Sequence, residues 1–121
     1  MSDKKIVLAV DDMPEVLSSI NAILQEKYDV RLAVDANAAT EALESVSVDL
    51  VLLDVEMPGM SGLQFIEKLQ KDAKFKSIPV VFITANKENK TVQEALKKGA
   101  KGYIVKPFSP ESLLESVEFF C

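Results

Sequence analysis

Apolar positions follow two alternating rhythms along this chain. Runs of six or seven residues rich in Val, Ile and Leu recur at 5–10, 29–34, 49–54, 78–84 and 101–106, and each predicts a strand. Between and after them, apolar residues return every three or four positions, the period of a helix with one buried face. The first such segment carries Val16, Leu17, Ile20, Ile23 and Leu24, with Pro14 placed as its first residue, where a missing N–H is no loss. The second carries Ala39, Ala42, Leu43 and Val46. Ser61-Gly62-Leu63-Gln64 has capping-box spacing and opens a third helix with Leu63, Ile66 and Leu69 on one face. A fourth is predicted over 88–98, with Val92, Ala95 and Leu96 as its apolar face and Gly99 as its stop. A fifth starts at Ser109-Pro110 and buries Leu113, Val117 and Phe120.

Strands apolar on both faces, each followed by a helix, predict a parallel sheet covered on both sides with right-handed crossovers. The expected fold is α/β, a doubly wound (βα)5 flavodoxin-like domain whose five-stranded parallel sheet has the order 2-1-3-4-5. With 121 residues and no linker, repeat or low-complexity stretch, a single domain over 1–121 is expected.

Charge and rare residues narrow the chemistry. The net charge is −5, Arg31 is the only arginine, and the lysines are spread along the sequence. That argues against direct nucleic-acid contact, which needs a clustered basic footprint. The apolar runs fall well short of the ~20 residues of a membrane span, and the first five residues lead into a strand rather than a signal peptide, so a cytoplasmic protein is expected. Histidine is absent and Cys121 is the only cysteine, which removes His-based triads, internal disulfides and most zinc sites.

In open α/β sheets, ligands bind beyond the carboxyl ends of the strands. Those ends read Asp11-Asp12, Asp54, Thr84 and Lys106-Pro107, while the second strand ends in a plain turn at Val34-Asp35-Ala36. Singly, each has an ordinary explanation. Asp11-Asp12 suits a solvated turn before a helix, Asp54 a strand end bonded to a loop, Thr84 a common strand terminus and Lys106 a surface lysine. Five such groups on one edge of one sheet are not explained that way. With the first and third strands adjacent, Asp11, Asp12 and Asp54 share a pocket, and three close carboxylates repel unless a cation intervenes. Mg²⁺, a hard cation that accepts few protein carboxylates and keeps positions for water and phosphate oxygens, is the natural compensation, with Lys106 on the other side.

Taken together, VDD ending at Asp12, LLDVEMPGMSG around Asp54, ITA ending at Ala85 and KGYIVKPF through Phe108 resemble the receiver domains of two-component response regulators, over the whole chain. The resemblance implies a domain that takes a phosphoryl group from a sensor histidine kinase or phosphotransfer protein onto Asp54. It also implies Mg²⁺ bound by Asp12 directly, by Asp11 mostly through water, by Asp54 and by the backbone carbonyl of Glu56. Lys106 would pair with a phosphoryl oxygen, its peptide to Pro107 being cis. Thr84 would donate to the bound phosphoryl group and Tyr103 would turn inward, altering the surface of the fourth helix, fifth strand and fifth helix that a downstream effector reads. The same surface is a candidate for homodimerisation. Pro58-Gly59 and Gly62 look like turn chemistry beside Asp54, and Glu56 and Asn86 stand where receivers vary and where the lifetime of the phosphate is affected. The domain would catalyse only its own phosphorylation and dephosphorylation.

Three other readings compete. A haloacid-dehalogenase-like phosphatase uses the same residue types, but its nucleophile lies on the first strand and is followed two residues later by Asp, where this chain has Glu56. A flavin carrier of the same architecture cradles phosphate in a hydroxyl-rich first loop, whereas Asp11-Asp12 would repel it. A non-phosphorylated interaction module would not need all five site residues. At the other terminus, Phe119-Phe120-Cys121 suggests a helix that once continued in a longer protein.

Overall fold

The computed structural model describes residues 4–57, 59–85 and 89–121. Five strands, β1 (Ile6–Val10), β2 (Asp29–Ala33), β3 (Leu50–Asp54), β4 (Val80–Thr84) and β5 (Gly102–Val105), alternate with α1 (Pro14–Leu24), α2 (Ala36–Ser45), α3 (Gly62–Gln70), α4 (Asn89–Lys97) and α5 (Pro110–Phe120). All strand pairs are parallel and the order is β2-β1-β3-β4-β5, as the pattern predicts.

The strands that the sequence reads as apolar on both faces divide by position. β3 and β4 are buried throughout and β1 nearly so. At the sheet edges, β2 exposes Arg31 and Leu32 and β5 exposes Tyr103, because an edge strand has one neighbour to cover it instead of two. One core layer, with Leu8, Val10, Leu53, Phe65, Ile66 and Phe82, lies under α2, α3 and α4. The other, with Leu17, Ile20, Leu52, Ile83, Leu113 and Val117, lies under α1 and α5.

The helix starts match their sequence signals. Pro14 opens α1, Asp35 caps α2 by accepting the Ala38 N–H at 2.8 Å, and Ser61 and Gln64 form a reciprocal capping box on α3. Ser109 with Ser112 does the same on α5. Gly99 ends α4 at φ +109°, a conformation other side chains rarely adopt. Two apolar positions depart from expectation. Leu96 is 45% exposed, since α4 turns only Ala95 fully inward and leaves Val92 half-buried. Phe120 is half-buried against Gly102, where a Cβ would fall 2.4 Å from its ring, while Phe119 is 82% exposed.

Candidate functional site

The ladder between β1 and β3 sets Val10 opposite Leu53, so the residues that follow, Asp11 and Asp12, come to lie beside Asp54. One carboxylate oxygen from each of the three acids lies within 4.8 Å of the others. Asp11 is fully buried and Asp54 nearly so, while Asp12 is exposed. The ladder between β4 and β5 pairs Thr84 with Val105, and the next residue, Lys106, donates its backbone N–H to the Thr84 carbonyl at 2.8 Å. Thr84 is buried. The Lys106-Pro107 peptide is cis, as the resemblance implies.

A buried carboxylate needs a counter-charge or several donors. Asp11 has both, with the Lys106 ammonium at 2.8 Å and the Met13 backbone N–H at 2.9 Å. Asp54 is less well served. Lys106 stands 3.5 Å away, and the Glu56 backbone N–H favours its charged form. Burial above all, and the neighbouring charge of Asp11 after it, push the Asp54 carboxyl up to about 6 against the opposing pull of Lys106 and the Glu56 N–H. Burial works to lower the Lys106 ammonium, but its bond to Asp11 and the charges of both acids outweigh this and hold it above the usual range.

The site is therefore under-neutralised. Among the described residues Lys106 is the only cationic side chain lining a cavity of about 320 Å³, whose walls also include Asp12, Asp54, Glu56, Thr84 and Ala85. Hard oxygen donors on one side and an open cavity on the other suit a divalent cation that keeps part of its water shell.

Gly62 explains how Asp54 is held. Its N–H bonds the Val55 carbonyl at 2.9 Å, and a Cβ there would fall 2.2 Å from the Asp54 carbonyl oxygen and 3.0 Å from the Phe82 ring. Gly62 is thus needed for close approach at the start of α3 rather than for a turn. The turn residue is Gly59, at φ +78°.

The response regulator receiver domain family matches residues 7–118. The chain belongs to that family. Response regulator Rre1 of Synechocystis sp. is 37% identical over 115 residues, 93% of this chain and 50% of that protein. The phosphate regulon transcriptional regulatory protein PhoB of Klebsiella pneumoniae is 36% identical over 113 residues, 93% of this chain and 49% of that protein. Chemotaxis protein CheY4 of Vibrio cholerae superposes with a TM-score of 0.92 at 31% identity, covering 98% of this chain and 99% of that one. The receiver domain spans about half the length of the curated regulators it matches. It has the phosphoacceptor role of two-component receivers, and neither the phosphatase nor the flavin-carrier reading is supported.

Of the residues singled out in the sequence, the receiver domain brings Asp12, Asp54, Thr84 and Lys106 to one cavity, with the Glu56 side chain exposed beside them and Asp11 buried next to it, bonded to Lys106. Tyr103 does not reach the cavity. It lies on β5 opposite Phe82 and is 45% exposed. Asn86 and Pro58 lie outside the described residues.

Sequence reasoning missed a second feature. An apolar groove of about 610 Å³ opens beside the acidic cavity, lined by Met13, Val16, Ile23, Pro107, Phe108 and Pro110 and sharing Met13, Ala85 and Lys106 with it. The signal was present in α1, whose apolar stripe is wider than the sheet can cover. Leu17, Ile20 and Leu24 are buried, which leaves Val16 and Ile23 half-buried on the groove wall.

Proposed function

We infer that Asp54 is the phosphoacceptor. An Asp54 Oδ attacks phosphorus of a partner's phosphohistidine, the P–N bond breaks, and the product is an acyl phosphate on Asp54 with the histidine released. Water then attacks phosphorus, the acyl phosphate P–O bond breaks, and inorganic phosphate leaves. The observation that carries this reading is the placement of Asp54, buried at a strand end within 4.8 Å of two other acids and only partly compensated by a lysine at 3.5 Å.

Asp11, Asp12, Asp54 and the Glu56 carbonyl are the proposed holders of Mg²⁺. Bound there, the ion would neutralise charge on the transferring phosphoryl group. Lys106 then swings its ammonium from Asp11 to a phosphoryl oxygen, a short change of partner because it already spans both acids. The acyl phosphate brings roughly −1.5 to −2 charges and strong acceptor oxygens. Thr84, buried at the next strand end, would donate its hydroxyl to them. The outward Tyr103 on β5 is the proposed second element of the switch, read at the surface of α4, β5 and α5 by a downstream effector or a second copy of the domain.

The phosphodonor is a sensor histidine kinase or phosphotransfer protein, and the apolar groove beside the cavity supports a seat for it. That groove is continuous with the cavity through Met13, Ala85 and Lys106, so a docked partner would exclude water from the reacting centre. The setting is cytoplasmic. Among the described residues no helix is long and apolar enough to cross a membrane.

Intact-mass analysis after incubation with Mg²⁺ and acetyl phosphate tests the assignment. The native chain should gain one phosphoryl group and Asp54→Asn none. An equal gain in both would move the acceptor elsewhere.

A further inference from the structure

Seven of the thirteen lysines, from two separate stretches of the sequence, 68–76 and 97–101, gather at the end of the molecule opposite the acidic cavity. Lys68 lies in the last turn of α3, Lys71, Lys74 and Lys76 follow it, Lys97 ends α4 with Lys98 just after it, and Lys101 precedes β5. Three contacts hold these segments together. The Lys98 ammonium pairs with Glu67 of α3. The side chain of Gln70 lies so close to Gly99 that a Cβ there would fall 2.9 Å from it. The Lys101 N–H bonds the Val80 carbonyl at 2.8 Å.

Helix C-termini attract cations, which accounts for Lys68, Lys97 and Lys98. It does not account for Lys71, Lys74, Lys76 and Lys101, which are exposed. Two of the local acids are engaged: Glu67 is taken by Lys98, which holds its carboxyl below the usual range, and the Asp72 carboxylate accepts the Lys74 backbone N–H at 2.9 Å; Glu44 and Glu94 flank the surface near Lys68 and Lys98. Among the described residues, Lys71, Lys74, Lys76, Lys97 and Lys101 have no acid within ion-pair distance. In a chain of net charge −5, this concentration of unneutralised charge is anomalous.

We propose that this lysine surface docks an acidic polypeptide segment of a partner protein, and that it does so whether or not the cavity at the other end carries a phosphoryl group. The size of the patch selects the partner. A DNA duplex or an anionic bilayer presents negative charge over an area larger than the patch and would also face Glu41 and Glu44 of α2 and Glu94 of α4, all exposed, at a distance where repulsion persists. A short acidic segment can cover the lysines alone. Independence from phosphorylation follows from distance. The five residues of β3 separate the two ends by roughly 16 Å, beyond the Debye length of about 8 Å at physiological ionic strength.

The test titrates isotopically labelled protein with oligoglutamate of about ten residues, following backbone amide shifts at about 0.02 M and about 0.3 M salt. Shifts should cluster over 68–76 and 97–101, and affinity should fall at least about tenfold at the higher salt. Lys71→Glu, Lys74→Glu, Lys97→Glu combined should weaken binding about tenfold or more, whereas Lys4→Glu, Lys27→Glu, Lys90→Glu combined, with the same net charge, should change it less than about twofold. Adding Mg²⁺ and beryllofluoride should also leave affinity within about twofold. The proposal is overturned if both triple variants lose binding equally, if beryllofluoride shifts affinity about tenfold, or if a DNA duplex or phosphatidylserine vesicles occupy this face more tightly than the peptide.

Discussion

The Lys106 ammonium lies 2.8 Å from Asp11 but 3.5 Å from Asp54, so before any phosphoryl group arrives the lysine is anchored on the acid that is not the proposed acceptor. Removing it strands the fully buried Asp11 carboxylate with the Met13 N–H as its remaining donor. Lys106→Met should therefore destabilise the metal-free protein by on the order of 2 kcal/mol, less than the loss for a wholly buried pair, because the lysine is partly solvated. Excess Mg²⁺ should restore most of that loss. Urea unfolding with and without the ion measures both quantities.

Asp54→Asn should stabilise the metal-free fold at neutral pH. The native Asp54 carboxyl sits at about 6, above the ~3.9 of an unfolded aspartate, so the native state binds the proton more tightly. Its contribution is unfavourable, grows as pH rises between those two values, and is complete by pH 7. The gain for the Asn variant should be on the order of 1–3 kcal/mol at pH 7 and should vanish near pH 4. Thermal unfolding across that range gives the answer.

The same carboxyl governs reactivity. Only the carboxylate is nucleophilic, so a metal-free titration followed by carboxyl carbon shifts should show a midpoint near 6, and Mg²⁺ should move it downward by more than about one unit. Phosphorylation by acetyl phosphate at low Mg²⁺ should decline below that midpoint.

Two glycines three positions apart, one in the turn and one at the helix start, separate steric from conformational constraint. Gly62→Ala would drive a Cβ into the Asp54 carbonyl, 2.2 Å away, and should cost about 2 kcal/mol or more while displacing the acceptor and slowing its phosphorylation. Gly59→Ala meets nothing within 4 Å but keeps φ +78°, so a loss of about 1 kcal/mol with phosphorylation retained is expected. Paired unfolding and mass measurements on the two variants distinguish them.

Much of this molecule is legible in its sequence because the relevant signals are local. The βα alternation gives the sheet, and Pro14, Asp35, Ser61 and Ser109 give the helix starts. Order 2-1-3-4-5 then places the strand ends, and with them Asp11, Asp12, Asp54, Thr84 and Lys106. What escaped depends on non-local packing. Leu96 obeys the helical period yet is exposed, because period reports which residues share a face and not how much of that face a neighbour covers. Val16 and Ile23 fail in the same way and become groove wall. The preference of Lys106 for Asp11 over Asp54 is decided by sub-ångström differences that spacing cannot express, and the gathering of lysines at the far end required knowing that α3 and α4 terminate side by side.

Each group of the acidic cavity stands at a strand terminus or one or two positions past it, with Asp54 and Thr84 still paired to Ile83 and Val105. The framework thus acts as a rigid jig whose working parts hang just off its edge. Loop residues such as Met13 and Glu56 form part of the cavity wall, so an exchange there would reshape the chamber while the strands beneath stay unaltered.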